Sequence, residues 1–231
     1  MTGKCGSIVS GVPDAILSHF GSLLIGEKSP KMNSVGSGRL CPKNASAVEL
    51  PRGIGDVLRL MTLTGQRCSE VCGMRTDELR IGDKLWVLPR GKDRSKNDET
   101  HSVPLSARAW TIVEHAIENA RDGYLFPARG ADGPMSRHTP SHRFADVAKD
   151  LEIENFRLHD LRRAMKTYMR SLGVRADIAD RVQGQISGLK RGVGWRYDHH
   201  EYLDEKRRAL ALWERRLLEI VEGRPASGER W

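Results

Sequence analysis

An α+β fold, mainly helical and carrying one small three-stranded antiparallel sheet, is what this chain predicts, and three observations predict it. Apolar residues recur at helical spacing in several separate segments, most regularly around residues 54–61, 158–172 and 203–220. Short extended segments cluster in one place only, where Glu78–Ile81 and Lys84–Leu88 flank Gly82-Asp83 and a further candidate strand follows at about Thr100–Pro104. With 231 residues, 39% of them hydrophobic, the chain is large enough to bury one main core.

Taken in order, residues 1–48 are rich in Gly, Ser, Pro and Lys and hold no sustained period beyond a short helix over Pro13–Leu24. They are expected to form a poorly ordered leader. The apolar stretch Ala15–Gly26 is interrupted by Ser18, His19 and Gly21. It is therefore neither a membrane span nor a secretory signal. The main domain is expected over 49–223, followed by a flexible tail at 224–231.

Within that domain Ile54, Val57, Leu58 and Met61 mark a helix that Gly65 ends. Arg67 falls just before or within the next short helix. Gly82-Asp83 reads as a two-residue reversal whose glycine takes positive φ, and Pro89–Glu99 is too polar for core, so it reads as a finger carrying Lys92, Arg94 and Lys96. Ser106 caps a helix with Trp110, Val113 and Ile117 on one stripe, ending near Asp122-Gly123. Another helix is expected over Ser141–Asp150, with Phe144 and Val147 inward.

The segment Leu158–Leu172 is the most regular. Leu158, Leu161, Met165, Tyr168, Met169 and Leu172 form its apolar stripe, and Gly173 stops it. His159 and Arg162, three apart, are expected to share a different face and reach one anion, while Arg163 points away. A short helix at about Asp177–Val182 then leads through the glycine-rich GQISGLKRGVG to Tyr197 and a terminal helix with Leu203, Leu210, Trp213, Leu217 and Ile220 inward.

A net charge of +8 and a pI near 9.5 favour a polyanionic partner, because Lys and Arg that neutralise phosphates release condensed counterions. Four cysteines, Cys5, Cys41, Cys68 and Cys72, show no disulfide framework, so reduced thiols and a cytoplasmic location are expected. Cys68 and Cys72 share a helix face without a second ligand pair and read as small helix residues rather than a zinc site.

Five stretches carry the chemistry: Arg67 in TGQRCSEV, Lys96 in SKNDETHSVPLS, His159 and Arg162 in RLHDLRR, Gln185 in RVQGQIS and Tyr197 in RYDHHEYLDEKR. Two guanidiniums can clamp the non-bridging oxygens of one phosphodiester, a lysine can protonate a leaving alcohol, and a tyrosine can attack phosphorus. In this order and with these flanks the chain resembles the tyrosine recombinases or phage-type integrases, in particular the prophage integrase branch, over about residues 50–222. That branch shows a TGxRxxE turn, a lysine before an H-x-VPLS strand, HDLRR opening a helix, and a tyrosine shortly before a YL-x-EKR-x-AL helix.

The resemblance implies the DNA breaking-rejoining fold, a helical catalytic domain with its small sheet, and cleavage through a 3′-phosphotyrosyl link on Tyr197 with no cofactor and no metal. It implies double-stranded DNA attachment sites as substrate and a homo-oligomer, a tetramer on DNA. Two departures accompany it. Gln185 stands where the family usually has a second histidine or a tryptophan, and fewer than fifty residues precede the domain, where integrases carry arm-binding and core-binding segments. Besides an active recombinase, two readings are open: a truncated integrase remnant that only binds DNA, and a metal-dependent nuclease built on His159, His199, His200 and nearby acids.

Overall fold

The computed structural model describes residue 17 and residues 50–89, 100–151, 153, 155–185 and 201–231. The leader apart from Leu17, the Lys92–Lys96 finger, and the segment with Tyr197, Asp198, His199 and His200 lie outside the described residues. The described elements are α1 (Arg52–Thr64), α2 (Cys68–Cys72), a 3-10 turn (Thr76–Glu78), β1 (Leu79–Arg80), β2 (Leu85–Leu88), β3 (His101–Pro104), α3 (Ala107–Glu118), α4 (His138–Asp150), α5 (Leu158–Ser171), α6 (Ala176–Val182) and α7 (Leu203–Val221).

Helix α1 is the axis of the core. Its apolar residues Val57, Leu58, Leu60, Met61 and Leu63 are buried, and it packs against α2, α3, α4, α5 and α7. One polar anchor and one ring contact fix that packing. Trp213 of α7, fully buried, donates its indole N–H to the Thr62 carbonyl at 2.8 Å and lies 5.7 Å, ring to ring, from Tyr168 of α5. A buried indole needs such a partner, and this one ties the last helix to the first. Leu17 also sits in this core.

The sheet runs β1-β2-β3, antiparallel throughout, with Arg80 opposite Leu85 and Leu88 opposite His101. Its hairpin differs from the expected reversal. The register leaves a four-residue connection, Ile81–Lys84, and the positive φ of 48° falls on Lys84 rather than on Gly82. All of β3 is buried, because α7 covers it. Trp86 of β2 donates to the buried Glu78 carboxylate at 3.0 Å, which anchors the sheet to the 3-10 turn.

The remaining helices follow their apolar stripes with shifted ends. Ser106 caps α3 by accepting from the Ala109 N–H at 3.4 Å, but α3 stops at Glu118, short of Asp122-Gly123. Helix α4 begins at His138, three residues early, with Pro140 in its first turn, where a missing backbone N–H costs nothing. In α5 the stripe is buried as expected, apart from half-buried Leu172. Residues 224–230 are exposed, yet the end of the chain is tied down: the Trp231 N–H donates to the Leu172 carbonyl at 3.0 Å, and Arg208 lies over the Trp231 ring at 4.8 Å.

Candidate functional site

The turn between α1 and α2 places the first arginine. Gly65, at φ +66°, ends α1 in the left-handed conformation and sends its N–H to the Met61 carbonyl at 2.8 Å. Gln66 is fully buried and donates to the Thr64 and Val182 carbonyls at 2.9 and 2.8 Å, stitching this turn to the end of α6. Arg67 is then the N-cap of α2. The buried Glu70 accepts both from its backbone N–H, at 2.7 Å, and from its guanidinium, at 2.6 Å. Glu70 thus aims Arg67, holding one edge of the fork while leaving the other for a ligand.

Arg162 departs from the expected outward face. It is only 2% exposed, and its two terminal nitrogens donate to the carbonyls of Gly65 and Gln183. Gln183 returns the bond, donating its side-chain amide to the Arg162 carbonyl at 2.7 Å. The reason is steric: α5 turns the side of Arg162 onto the 65–67 and 182–185 turns, so the guanidinium is planted between them. Burial, with the nearby Arg67 charge adding to it and Glu70 opposing, brings its pKa down to about 10. It stays charged at neutral pH.

His159, one turn earlier on α5, is exposed. Partial desolvation and then the charges of Arg162 and Arg163 hold its imidazole below the ordinary value, which favours the neutral ring with one donor and one acceptor. Arg163 is 74% exposed and approaches Asp160 at 3.5 Å. Gln185 accepts from Lys166 at 3.0 Å, and Lys166 also pairs with Asp180. An open groove of about 440 Å³ runs past His159, Arg162, Arg163, Lys166, Gln183 and Gln185.

Of the predicted site residues the structure therefore brings together Arg67, His159, Arg162 and Gln185. Arg67 is close enough to act electrostatically on both Arg162 and His159. Lys96 and Tyr197 lie outside the described residues. Among the described residues no group of three or more His, Cys, Asp or Glu could hold a metal ion. Cys68 and Cys72 do share a face, with sulfurs 3.9 Å apart.

Several residues that sequence reasoning passed over complete the wall behind the arginines: Glu70, Gln66, Gln183 and His101. His101 on β3 is buried, and its ring lies where a Cβ on Gly184 would meet it at 3.0 Å. Gly184 has φ +59°, so this close approach requires glycine on both counts. Burial first, then the charges of Lys206, Arg162 and Arg67, hold the His101 pKa down to about 3. Position was a signal for all four, since Gln66 and Glu70 stand inside TGQRCSE, His101 inside HSVPLS and Gln183 inside RVQGQIS.

Comparison with known proteins bears on the family and the fold. The model of the phage integrase family matches residues 49–184. The integrase of Enterobacteria phage P4 is 28% identical over 170 residues, covering 68% of this chain and 38% of that protein. Among solved structures, the Tn1549 transposon integrase in complex with transposon right end DNA superposes with a TM-score of 0.51 at 19% identity, covering 69% of this chain and 58% of that one. The same integrase with a circular intermediate DNA gives 0.50 at 18% identity, over 68% and 57%. The chain thus spans less than two thirds of the length of these relatives.

Proposed function

The chain belongs to the phage integrase family, whose model matches residues 49–184, and from that premise we propose that it is a site-specific DNA recombinase acting through a 3′-phosphotyrosyl intermediate. The observation that carries this reading is the convergence of Arg67 and Arg162, from separate helices, beside His159 and one open groove. Two adjacent guanidiniums, one aimed by Glu70 and one by two carbonyls, form a preorganised field for the charge that builds on a phosphorane. Cations so close repel one another, and a bound phosphodiester relieves that repulsion.

In this reading the Tyr197 phenolate attacks the phosphorus, forming the tyrosyl O–P bond as the P–O5′ bond breaks. Lys96 gives the leaving 5′ oxygen its proton. A phenol with a reference pKa of about 10 needs the positive field of the arginines to ionise. Neutral His159 bonds a phosphate oxygen or takes the phenol proton. Gln185 supplies a hydrogen bond at the position where the family usually has a histidine or tryptophan, and Lys166 orients it. Attack by the 5′ hydroxyl of a partner strand reverses the link, so no cofactor or metal enters. The substrate is double-stranded DNA attachment sites, engaged by a homotetramer in the cytoplasm. Among the described residues no helix is long and apolar enough to cross a membrane.

The test is a pool of nicked, labelled duplexes tiled across the DNA that flanks the gene. The wild-type chain is expected to form a protein–DNA adduct that survives denaturation and chelator, and Tyr197→Phe to form none. Retained DNA binding without any adduct would overturn the proposal in favour of a remnant that only binds DNA. A chelator-sensitive cut would do so in favour of a metal-dependent nuclease.

A further inference from the structure

Lys206 is a buried cation that the reaction outlined above does not use. It lies in the first turn of α7, is 6% exposed, and donates its ammonium to the Ser102 carbonyl of β3 at 3.0 Å. Among the described residues that carbonyl is its hydrogen-bond acceptor. Burying an ammonium is costly, and here its hydrogen bond goes to a neutral carbonyl while Glu201 acts on it only through its charge. The charge therefore calls for a reason beyond packing.

Its surroundings supply one. Ser102 adjoins His101, whose ring abuts Gly184, and Gly184 follows Gln183, whose carbonyl holds Arg162. The same buried imidazole feels the charges of Lys206, Arg162 and Arg67. Among the described residues, the charged groups that act on Lys206 are Arg181 on α6 and Glu201 just before α7, and the neutral His101 ring adjoins its acceptor residue Ser102. Burial and Arg181 lower the Lys206 pKa, to about 8, while Glu201 opposes them.

We propose that Lys206 is a positioning residue for DNA cleavage: its ammonium, bound to the Ser102 carbonyl, locks α7 onto β3 and so steadies His101 against the Gly184 turn, whose neighbour Gln183 holds Arg162. This rests on the recombinase reading. A neutral amine would hold the same carbonyl more weakly, so the effect is present below about pH 8 and fades above it.

The experiment compares wild type, Lys206→Met and Lys206→Arg in single-turnover adduct formation on a duplex captured by the wild-type chain, from about pH 6.5 to about 9.5 in steps of roughly half a unit. At neutral pH, Lys206→Met is expected to cleave about tenfold or more slowly, the scale of a lost charge-assisted bond, with DNA binding essentially unchanged. The ratio of wild-type to Lys206→Met rates should fall toward one as pH rises through about 8. Lys206→Arg, which cannot lose its proton, should restore most of the rate and abolish that fall. A Lys206→Met enzyme as fast as wild type, or a ratio that does not change with pH, overturns the proposal. Should Lys206→Met not fold, Lys206→Arg decides alone: a rate that holds above pH 8 supports the assignment, and one that falls as in wild type overturns it. If the wild-type chain captures no duplex at all, the recombinase reading fails first, and this one with it.

Discussion

Replacing Gly65 by alanine probes the joint on which the site is built. The residue holds φ at +66°, and an added Cβ would lie 2.3 Å from the Met165 sulfur and 3.2 Å from the Gln183 amide nitrogen. A left-handed alanine costs about 1–2 kcal/mol. Met165 is fully buried, so its displacement adds an overpacking cost of about 1–3 kcal/mol. The sum, about 2–5 kcal/mol, should appear in equilibrium urea unfolding as a lower midpoint at unchanged slope. Two controls separate its parts. Gly130→Ala has φ of +74° and nothing within 4 Å, so it should show the backbone cost alone, and Gly82→Ala, open and without positive φ, should be within about 0.5 kcal/mol of wild type. Adding Met165→Ala to Gly65→Ala should cost less than the sum of the single changes, because the two atoms that collide are then not both present. A Gly65→Ala protein that loses no more than Gly130→Ala would refute the packing argument, and with it the idea that this turn is held rigidly under Arg162.

Two further outcomes follow from the same wall. His101 is neutral in the fold down to about pH 3, against 6.5 when free, so the unfolded chain binds the extra proton between those values. Its contribution to stability is therefore complete above pH 6.5 and is lost as pH falls toward 3, at about 1.4 kcal/mol per pH unit. His101→Gln should flatten that slope in pH-dependent unfolding, and an unchanged slope would assign the effect elsewhere. Arg162→Lys cannot bond the Gly65 and Gln183 carbonyls with one fork, so it should lower adduct yield by about a hundredfold. The exposed Arg163→Lys should stay within about 0.5 kcal/mol of wild type in urea unfolding. Equal yields from the two variants would remove Arg162 from its proposed role.

Much of the fold was legible because its elements advertise themselves by period. The stripe from Leu158 to Met169 and the run Leu210, Trp213, Leu217 and Ile220 are buried as their spacing requires. The sheet was recognisable from its apolar strand segments, and its order follows the sequence, each strand pairing with the next. What failed was local. Gly82 invited a tight reversal, yet the register set by Trp86 against Leu79 and Val103 leaves four residues in the connection and shifts the positive φ to Lys84. Side-chain registry across the strands outweighed turn propensity there. The start of α4 was missed for the opposite reason, since Pro140 reads as a breaker unless its place in the first turn is known.

The site was legible in its charged residues and not in its neutral ones, and that division has a physical cause. Arg67, His159 and Arg162 are marked by type and spacing, because a phosphate needs cations and hydrogen-bond donors wherever the chain can bring them. Gln66, Gln183 and His101 act through backbone groups and close packing of other segments, and such partners are fixed only once α1, α5, α6 and β3 are packed. A polar residue beside a helix end carries no local sign of whether it will face water or seal a turn. Arg162 shows the consequence most sharply. Its helical spacing from His159 suggested only that the two share a face, but the carbonyls of Gly65 and Gln183 claim its guanidinium, so in the proposed reaction the phosphate meets an arginine that is already held rather than one that swings in. A guanidinium fixed before substrate arrives loses little side-chain entropy on binding, and its field is in place when the charge develops. In the proposed reaction the buried amides and the imidazole behind Arg162 therefore matter as much as the cations in front.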